Sequence, residues 1–338
     1  TSQSLDPVGA AEQDGPGPEP DRGLAVARAP RGAPVRARPR GSRARMEDGG
    51  GSNRFPTPHT MTASAAGYAV NTYAWTLTHP AEACLEGLAG RGHRMFEVMM
   101  YPGHMWPADM DGGARRAFKR FLDDRGLSVT TLNMPNVDIN VAGATAAMRA
   151  YSLDILTQIV GLAGDLGVPG VVIGPGKANP LLPAPRERLT GWFFQALDVL
   201  APLAEARGTA LWVENMPFAF LPTADEMMEA IERHGDPRLG VVYDIANGVF
   251  AREDLAHGLQ RVRGRLKLVH LSDTPLAVYR HAPVGTGVVP FAAVPPVLEQ
   301  IGYEGLPMLE IICDQPDTEI PASVEALEAM GWGRIARR

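Results

Sequence analysis

Beyond residue 66 the chain alternates between short apolar runs and longer stretches whose apolar positions recur every three or four residues. The short runs are GYAVN (67–71), MFEVMM (95–100), SVTTLN (128–133), GVVIG (170–174), ALWVEN (210–215), LGVVYD (239–244), LKLVHLSD (266–273) and PMLEII (307–312). Their near-continuous Val, Ile and Leu content predicts strands buried on both faces, as in a parallel sheet. Between them RRAFKRFLDDRG, AAMRAYSLDILTQIVGLAGDLG, GWFFQALDVLAPLAEARG and ADEMMEAIERHG predict amphipathic helices. Each of these stops at or near a glycine, the residue that helix C-termini favour.

The runs begin about 25 to 40 residues apart, which fits one strand, one helix and two loops per repeat. Eight such repeats predict an α/β fold closed into a (β/α)8 TIM barrel. An open doubly wound sheet would place a Gly-rich phosphate loop after its first strand, and none follows GYAVN. The G-x-G of GPGKANP comes after the fourth run and lacks a third glycine, so it carries little weight as a nucleotide site.

Residues 1–60 differ in kind. They are dense in Gly, Pro, Ala and Arg without apolar periodicity, which predicts a disordered extension preceding a barrel domain over 61–338. Arg22, Arg28, Arg31, Arg36, Arg38, Arg40, Arg43 and Arg45 form a basic stretch that reads as solvated rather than as a working surface. Met46 and Met61 each offer a natural start, and the acidic residues Asp6, Glu12, Asp14, Glu19 and Asp21 argue against a transit peptide.

Composition narrows the function class. The 338 residues are 45% hydrophobic and 21% charged with a formal net charge of -6, the balance of a globular protein that does not grip polyanions. Nucleic acid is therefore not an expected partner. Two cysteines, Cys84 and Cys313, are too few for a disulfide framework and read as packing thiols in a reducing cytoplasm. No apolar run approaches a bilayer span, so no membrane association is expected.

In a barrel the chemistry sits where strands end at the C-terminal face. Four consecutive predicted strands end there in metal-binding types: Glu214, Asp244, His270 and Glu310. Carboxylates crowded at a narrow mouth repel one another unless a cation or protons compensate. One divalent metal ion is the simplest compensation, and three carboxylates with one imidazole suit Mn²⁺, Mg²⁺, Co²⁺ or Zn²⁺. Further strand-end candidates for the pocket are Asn71, Tyr73, Glu97, Asn133, Lys177 and Asp273. His104 reads as a surface residue of the loop after the second strand, with pocket cover alongside Trp106 as the alternative. His79, His93, His234 and His257 read as structural or solvated.

The segments VENMP, VVYDIAN, LVHLSD, RHAPVGTG and MLEI, in this order and spacing, resemble the xylose isomerase-like TIM-barrel superfamily of sugar isomerases and epimerases. That group includes tagatose and psicose 3-epimerases, hydroxypyruvate isomerase, inosose dehydratase and endonuclease IV. The resemblance runs from about Ala66 to Trp332. It implies that Glu214, Asp244, His270 and Glu310 bind one metal, and that Glu214 and Glu310 also serve as the catalytic acid/base pair. It further implies a sugar or hydroxy-ketone substrate turned over through a metal-stabilised enediolate. Asn247, His281, Asp273, Asn71, Glu97 and Asn133 are the expected substrate-binding residues, with Asp273 alternatively orienting His281 or Arg280.

Two departures bear on the reaction. Asn247 stands three residues after Asp244, where sugar epimerases and endonuclease IV commonly carry His. Tyr279 stands two residues before His281, where endonuclease IV carries Asp. A multi-metal cluster is thus incomplete. The expected activity is isomerisation or epimerisation in carbohydrate metabolism. A dehydratase of a related polyol ketone, an endonuclease IV-like phosphodiesterase and a non-catalytic sugar-binding barrel are the alternatives. The partner is a small sugar, and the sequence leaves room for a homo-oligomer.

Overall fold

The computed structural model describes residues 67–134 and 138–336. The expectations for residues 1–60, with their arginines, Met46 and Met61, lie outside the described residues. Eight parallel strands close into a barrel in sequence order. They are β1 (Ala69–Asn71), β2 (Met95–Met99), β3 (Ser128–Asn133), β4 (Gly170–Ile173), β5 (Ala210–Glu214), β6 (Gly240–Asp244), β7 (Leu266–Leu271) and β8 (Pro307–Leu309). The helices are α1 (Ala81–Gly90), α2 (Gly112–Arg125), α3 (Ala146–Leu166), α4 (Arg186–Ala206), α5 (Ala224–His234), α6 (Ile245–Phe250), α7 (Leu255–Val262), α8 (Val294–Gln300), α9 (Pro316–Ala329) and α10 (Gly333–Ala336).

Local chemistry fixes the helix ends. Thr223 opens α5 with a reciprocal capping box to Glu226, and Asp111 and Thr145 cap α2 and α3 through their side-chain oxygens. Gly126, Gly167 and Gly235 close α2, α3 and α5 in the left-handed conformation, where a Cβ would be strained.

Two apolar layers follow from the strand period of two. Outward residues such as Val70, Phe96, Leu132, Val171, Val213, Val241, Val269 and Leu309 join the helices in the large buried core. Ala69, Val172, Val242, Leu268 and Met308 form a second cluster, packed by Met95, Trp212 and Leu306. This second cluster plugs the barrel interior. The Trp212 ring fits there because its neighbours on β4 and β6 are glycines, and a Cβ on Gly170 or Gly240 would come within 2.7 Å of it. Two residues further along the same strands, the inward positions are Asn71, Glu97, Gly174, Glu214, Asp244 and His270, with Glu310 just past β8. The plug is thus the floor on which the polar layer stands.

One histidine expectation is overturned, and three are borne out as structural or surface residues. His104 is neither a surface residue nor a pocket cover. It is buried, with Nδ1 2.6 Å from the His79 carbonyl and Nε2 2.8 Å from Thr72 Oγ1, so it clamps the ends of β1 and β2 together. His234 and His257 pair with Asp198 and Asp225 on the helical surface. His93 is structural: only 3% exposed, it lies with Nδ1 3.3 Å from the Tyr68 carbonyl. Cys84 is buried in the core, and no helix among the described residues is long and apolar enough to cross a membrane.

Burial lowers the His93 pKa to about 4, against 6.5 for an exposed ring. The fold therefore prefers the neutral ring. The stability tied to His93 is complete above pH 6.5 and is lost as the pH falls from there towards about 4. Chemical denaturation of wild type and His93→Gln across this window should show the stability lost on acidification smaller in the variant by up to about 3 kcal/mol. Equal losses would mean that His93 does not titrate with unfolding.

Candidate metal centre

Glu214, Asp244, His270 and Glu310 converge at the C-terminal mouth, with one potential ligand atom of each within 4.8 Å of all the others. Nδ1 of His270 is 3.2 Å from Glu214 Oε1, 3.0 Å from Glu310 Oε2 and 3.9 Å from Asp244 Oδ2. The local folding explains each placement. Asp244 ends β6 and caps α6 by accepting from the Asn247 amide at 2.7 Å, which leaves Oδ2 turned towards the others. Asn215 holds the same strand end, accepting from the Asp244 amide and donating to the Asp244 carbonyl. Glu310 follows β8, its amide bonded to the Leu271 carbonyl.

The group fits a divalent cation on two grounds. Asp244 Oδ2 and Glu310 Oε2 are buried and accept no well-aligned hydrogen bond, their polar neighbours being the rings of His270 and His281, a costly state for carboxylate oxygens unless a cation meets them. The donors are three hard oxygens and one borderline nitrogen, the set that Mn²⁺, Mg²⁺, Co²⁺ and Zn²⁺ accept. Their proton affinities show the same crowding. Burial, with the charges of Glu310 and Asp244, pushes Glu214 up to about 8. Burial likewise raises Asp244 to about 6, against the pull of His281. Burial alone would lower the pKa of His270, but the charges of Glu97 and Glu310 and the bond to Glu214 hold it well above the usual imidazole range. Burial would raise Glu310 too, yet His270 and His281 hold it well below the usual carboxylate range.

Behind the four lies a buried layer, and three of the expected substrate contacts, Glu97, Asn71 and Asp273, sit away from the cleft lining. Glu97 is fully buried, accepts from Asn71, Thr131 and Asn133, and sits 3.2 Å from His270 Nε2. A carboxylate there favours the ring orientation with Nδ1 turned to the mouth, and Glu97 does not line the cleft. Asn71 is equally buried, its amide shared between Glu97 and Glu310 Oε1 at 3.3 Å while its Oδ1 accepts from the Tyr73 amide. Asp273 accepts from the backbone amides of Thr274, Gly285, Gly287 and Val289. It organises the loop that carries His281, and its side chain bonds neither His281 nor Arg280.

Three other expected residues do face the cleft. Asn133, Asn247 and His281 line it together with Tyr73, Lys177, Glu214 and Glu310, around about 980 Å³ of space with the open mouth included. His281 Nδ1 lies 3.3 Å from Glu310 Oε2 and 3.1 Å from Ser272 Oγ. Its Nε2 is 2.6 Å from the Tyr279 hydroxyl, which donates to Asn247 Oδ1, while Asn247 Nδ2 donates to the Asn215 carbonyl. The two positions that depart from multi-metal relatives are thus bonded to each other. Thr72, Asn215 and Ser272, together with the apolar loop residues Met134, Ile139, Val141, Met216 and Phe218, had no signal in strand-end reasoning. Asn215 was visible only as the neighbour of Glu214 in VENMP.

Residues 86–332 match the family model described as xylose isomerase-like TIM barrel, and the chain belongs to that family. An L-ribulose 3-epimerase of Mesorhizobium japonicum is 25% identical over 242 residues, covering 69% of this chain and 77% of the relative. A putative L-ribulose-5-phosphate 3-epimerase of Shigella dysenteriae is 25% identical over 186 residues, covering 55% of this chain and 64% of the relative. The crystal structure of a D-tagatose 3-epimerase-like protein superposes with a TM-score of 0.68 at 20% identity, covering 80% of this chain and 98% of that one. The relatives and structural neighbours named here are epimerases or epimerase-like proteins.

The charges around His270 and the burial of Glu214 both favour the protonated forms, and a bound cation competes with those protons. Titrating Mn²⁺ into the protein should therefore release protons, seen as a binding heat that changes with the buffer's ionisation enthalpy, and affinity should rise with pH through about 8. A buffer-independent heat would refute this linkage. Glu97→Gln is expected to weaken Mn²⁺ binding about 10- to 100-fold while leaving the melting transition cooperative. Chelator competition gives the comparison, and an unchanged dissociation constant would remove Glu97 from its orienting role.

Proposed function

We propose that this chain is a divalent-metal-dependent epimerase or isomerase of ketose sugars, with Glu214 and Glu310 as its acid/base pair. One observation carries the reading. Of the four converging residues, Glu214 and Glu310 line the cleft, whereas Asp244 and His270 are fully buried behind it. Two members of the group thus meet a bound molecule, and two can only hold the ion.

The bound ion would polarise a ketose carbonyl and offset the negative charge that develops when the neighbouring carbon loses its proton. One cleft-facing glutamate takes that proton from carbon, and the other delivers a proton back. Return to the same carbon from the other side inverts it, which is epimerisation; delivery to the former carbonyl carbon gives isomerisation. His281 and His270 flank Glu310 at 3.3 and 3.0 Å, which keeps that carboxylate fixed in orientation. Asn133, Lys177 and Tyr73 offer polar contacts along the wall.

The naming of relatives as 3-epimerases supports proton transfer next to a ketone. The bond between Tyr279 and Asn247 weighs against a phosphodiesterase, because both side chains are committed to each other rather than turned towards further ions. A sugar as the partner molecule and a cytoplasmic setting belong to the same reading.

A panel of ketoses incubated in D₂O with Mn²⁺, Mg²⁺, Co²⁺ or Zn²⁺ tests it. Wild type should incorporate deuterium at the carbon beside the carbonyl, and Glu214→Gln and Glu310→Gln should each slow incorporation by about 10²- to 10⁴-fold. If Glu214→Gln works as fast as wild type, the assignment is wrong.

A further inference from the structure

The polar groups of the cleft are gathered at its base, and most are already engaged there. Both ends of the Asn247 amide are bonded, the Tyr279 hydroxyl meets two partners, and the Asn133 amide donates to Glu97. Away from the ligands the lining changes character. Beside Lys177 and the small residues Gly174, Gly176 and Ala219, it is formed by Met134, Ile139, Val141, Met216, Phe218 and Ile312. Met134, Ile139 and Val141 are buried, while Phe218 is 60% exposed and Ile312 40% exposed at the rim. The Phe218 ring is held edge-on to Tyr279 at 5.3 Å and to Phe250 at 5.8 Å, so an exposed aromatic face is fixed over the mouth.

Charge is equally sparse. Lys177 is the one Lys or Arg among the described residues that lines the cleft, and Asp138 acts on it electrostatically. A phosphate dianion is ordinarily held by several donors or cations at once, and this wall does not assemble them. A polyhydroxylated tail would give up its water hydrogen bonds with few replacements, at a cost for each group left unpaired. An apolar tail would lose nothing and bury its surface.

We infer that the substrate is an uncharged keto sugar whose end remote from the ketone carries an apolar group, alkyl or aryl, seated against Met134, Ile139, Val141 and Phe218. The inference rests on the reading above for which end of the molecule faces Glu214 and Glu310. It separates this chain from its phosphate-acting relative by the chemistry of the tail.

A ketohexose series with one head group and four tails at carbon 6 (hydroxyl, deoxy, O-benzyl and phosphate) tests it by calorimetry on the Mn²⁺-loaded full chain. The dissociation constant should fall about ten-fold or more from hydroxyl to O-benzyl, with deoxy between and phosphate weakest. Phe218→Ser, at an exposed position that the core does not need, should erase most of the O-benzyl gain. Equal affinity for hydroxyl and O-benzyl, a tightest-binding phosphate, or a gain that survives Phe218→Ser would overturn the inference. Deuterium exchange on the same four compounds separates the two readings. An affinity order that holds with no exchange in any member would end the epimerase reading and leave the apolar tail standing.

Discussion

Three carboxylates brought within ligand distance of one another in a buried mouth are the constraint on which this structure turns. Two like charges about 4 Å apart repel by roughly 4 kcal/mol even at an effective dielectric near 20. The fold meets this with His270 and His281 set among them, with the Asn247 backbone amide on Asp244 Oδ1 and with the Asn71 side-chain amide on Glu310 Oε1. Asp244 Oδ2 and Glu310 Oε2 have the two histidine rings beside them but accept no well-aligned hydrogen bond, and those two atoms give the strongest structural reason to read the group as a cation site.

The barrel carries that strain because its interior is layered. The Trp212 plug, admitted by Gly170 and Gly240, fills the floor, and the next inward position on each strand points to the mouth. Glu97 gathers donors from β1 and β3 and faces His270 across the barrel, which ties the converging group to strands that contribute none of its four residues. On β4 the corresponding position is Gly174, and with no side chain there the cleft opens towards the loops that follow β3 and β5. Chemistry and access are in this way divided around one ring of strands.

The eight strands were legible because each apolar run is bounded by turn residues and spaced for a crossover helix, and helix ends at Gly126, Gly167 and Gly235 were legible from glycine itself. The converging quartet was legible for a related reason: a period of two fixes which residue of a strand end faces inward, so Glu214, Asp244, His270 and Glu310 could be proposed together. What failed was the next distinction. Asn71, Glu97 and Asn133 share strand-end position and polarity, yet only Asn133 reaches the cleft, because Asn71 and Glu97 lie at a depth set by the barrel's register. Asp273 gathers four loop amides, and along the chain such a carboxylate looks like one that awaits a substrate.

The sequence by itself determined the barrel, the inward phase of its strands and the residue types at their ends, since these follow from periodicity and from side-chain alternation within single segments. The tertiary structure alone decided which polar residues touch the cleft, which stand behind the ligands, and that Tyr279 and Asn247 close on each other. It also decided the apolar character of the wall, because Met134, Ile139, Val141 and Phe218 come from two irregular loops with no common period. Depth, register and the meeting of separate loops are relations between segments, and no single segment encodes them.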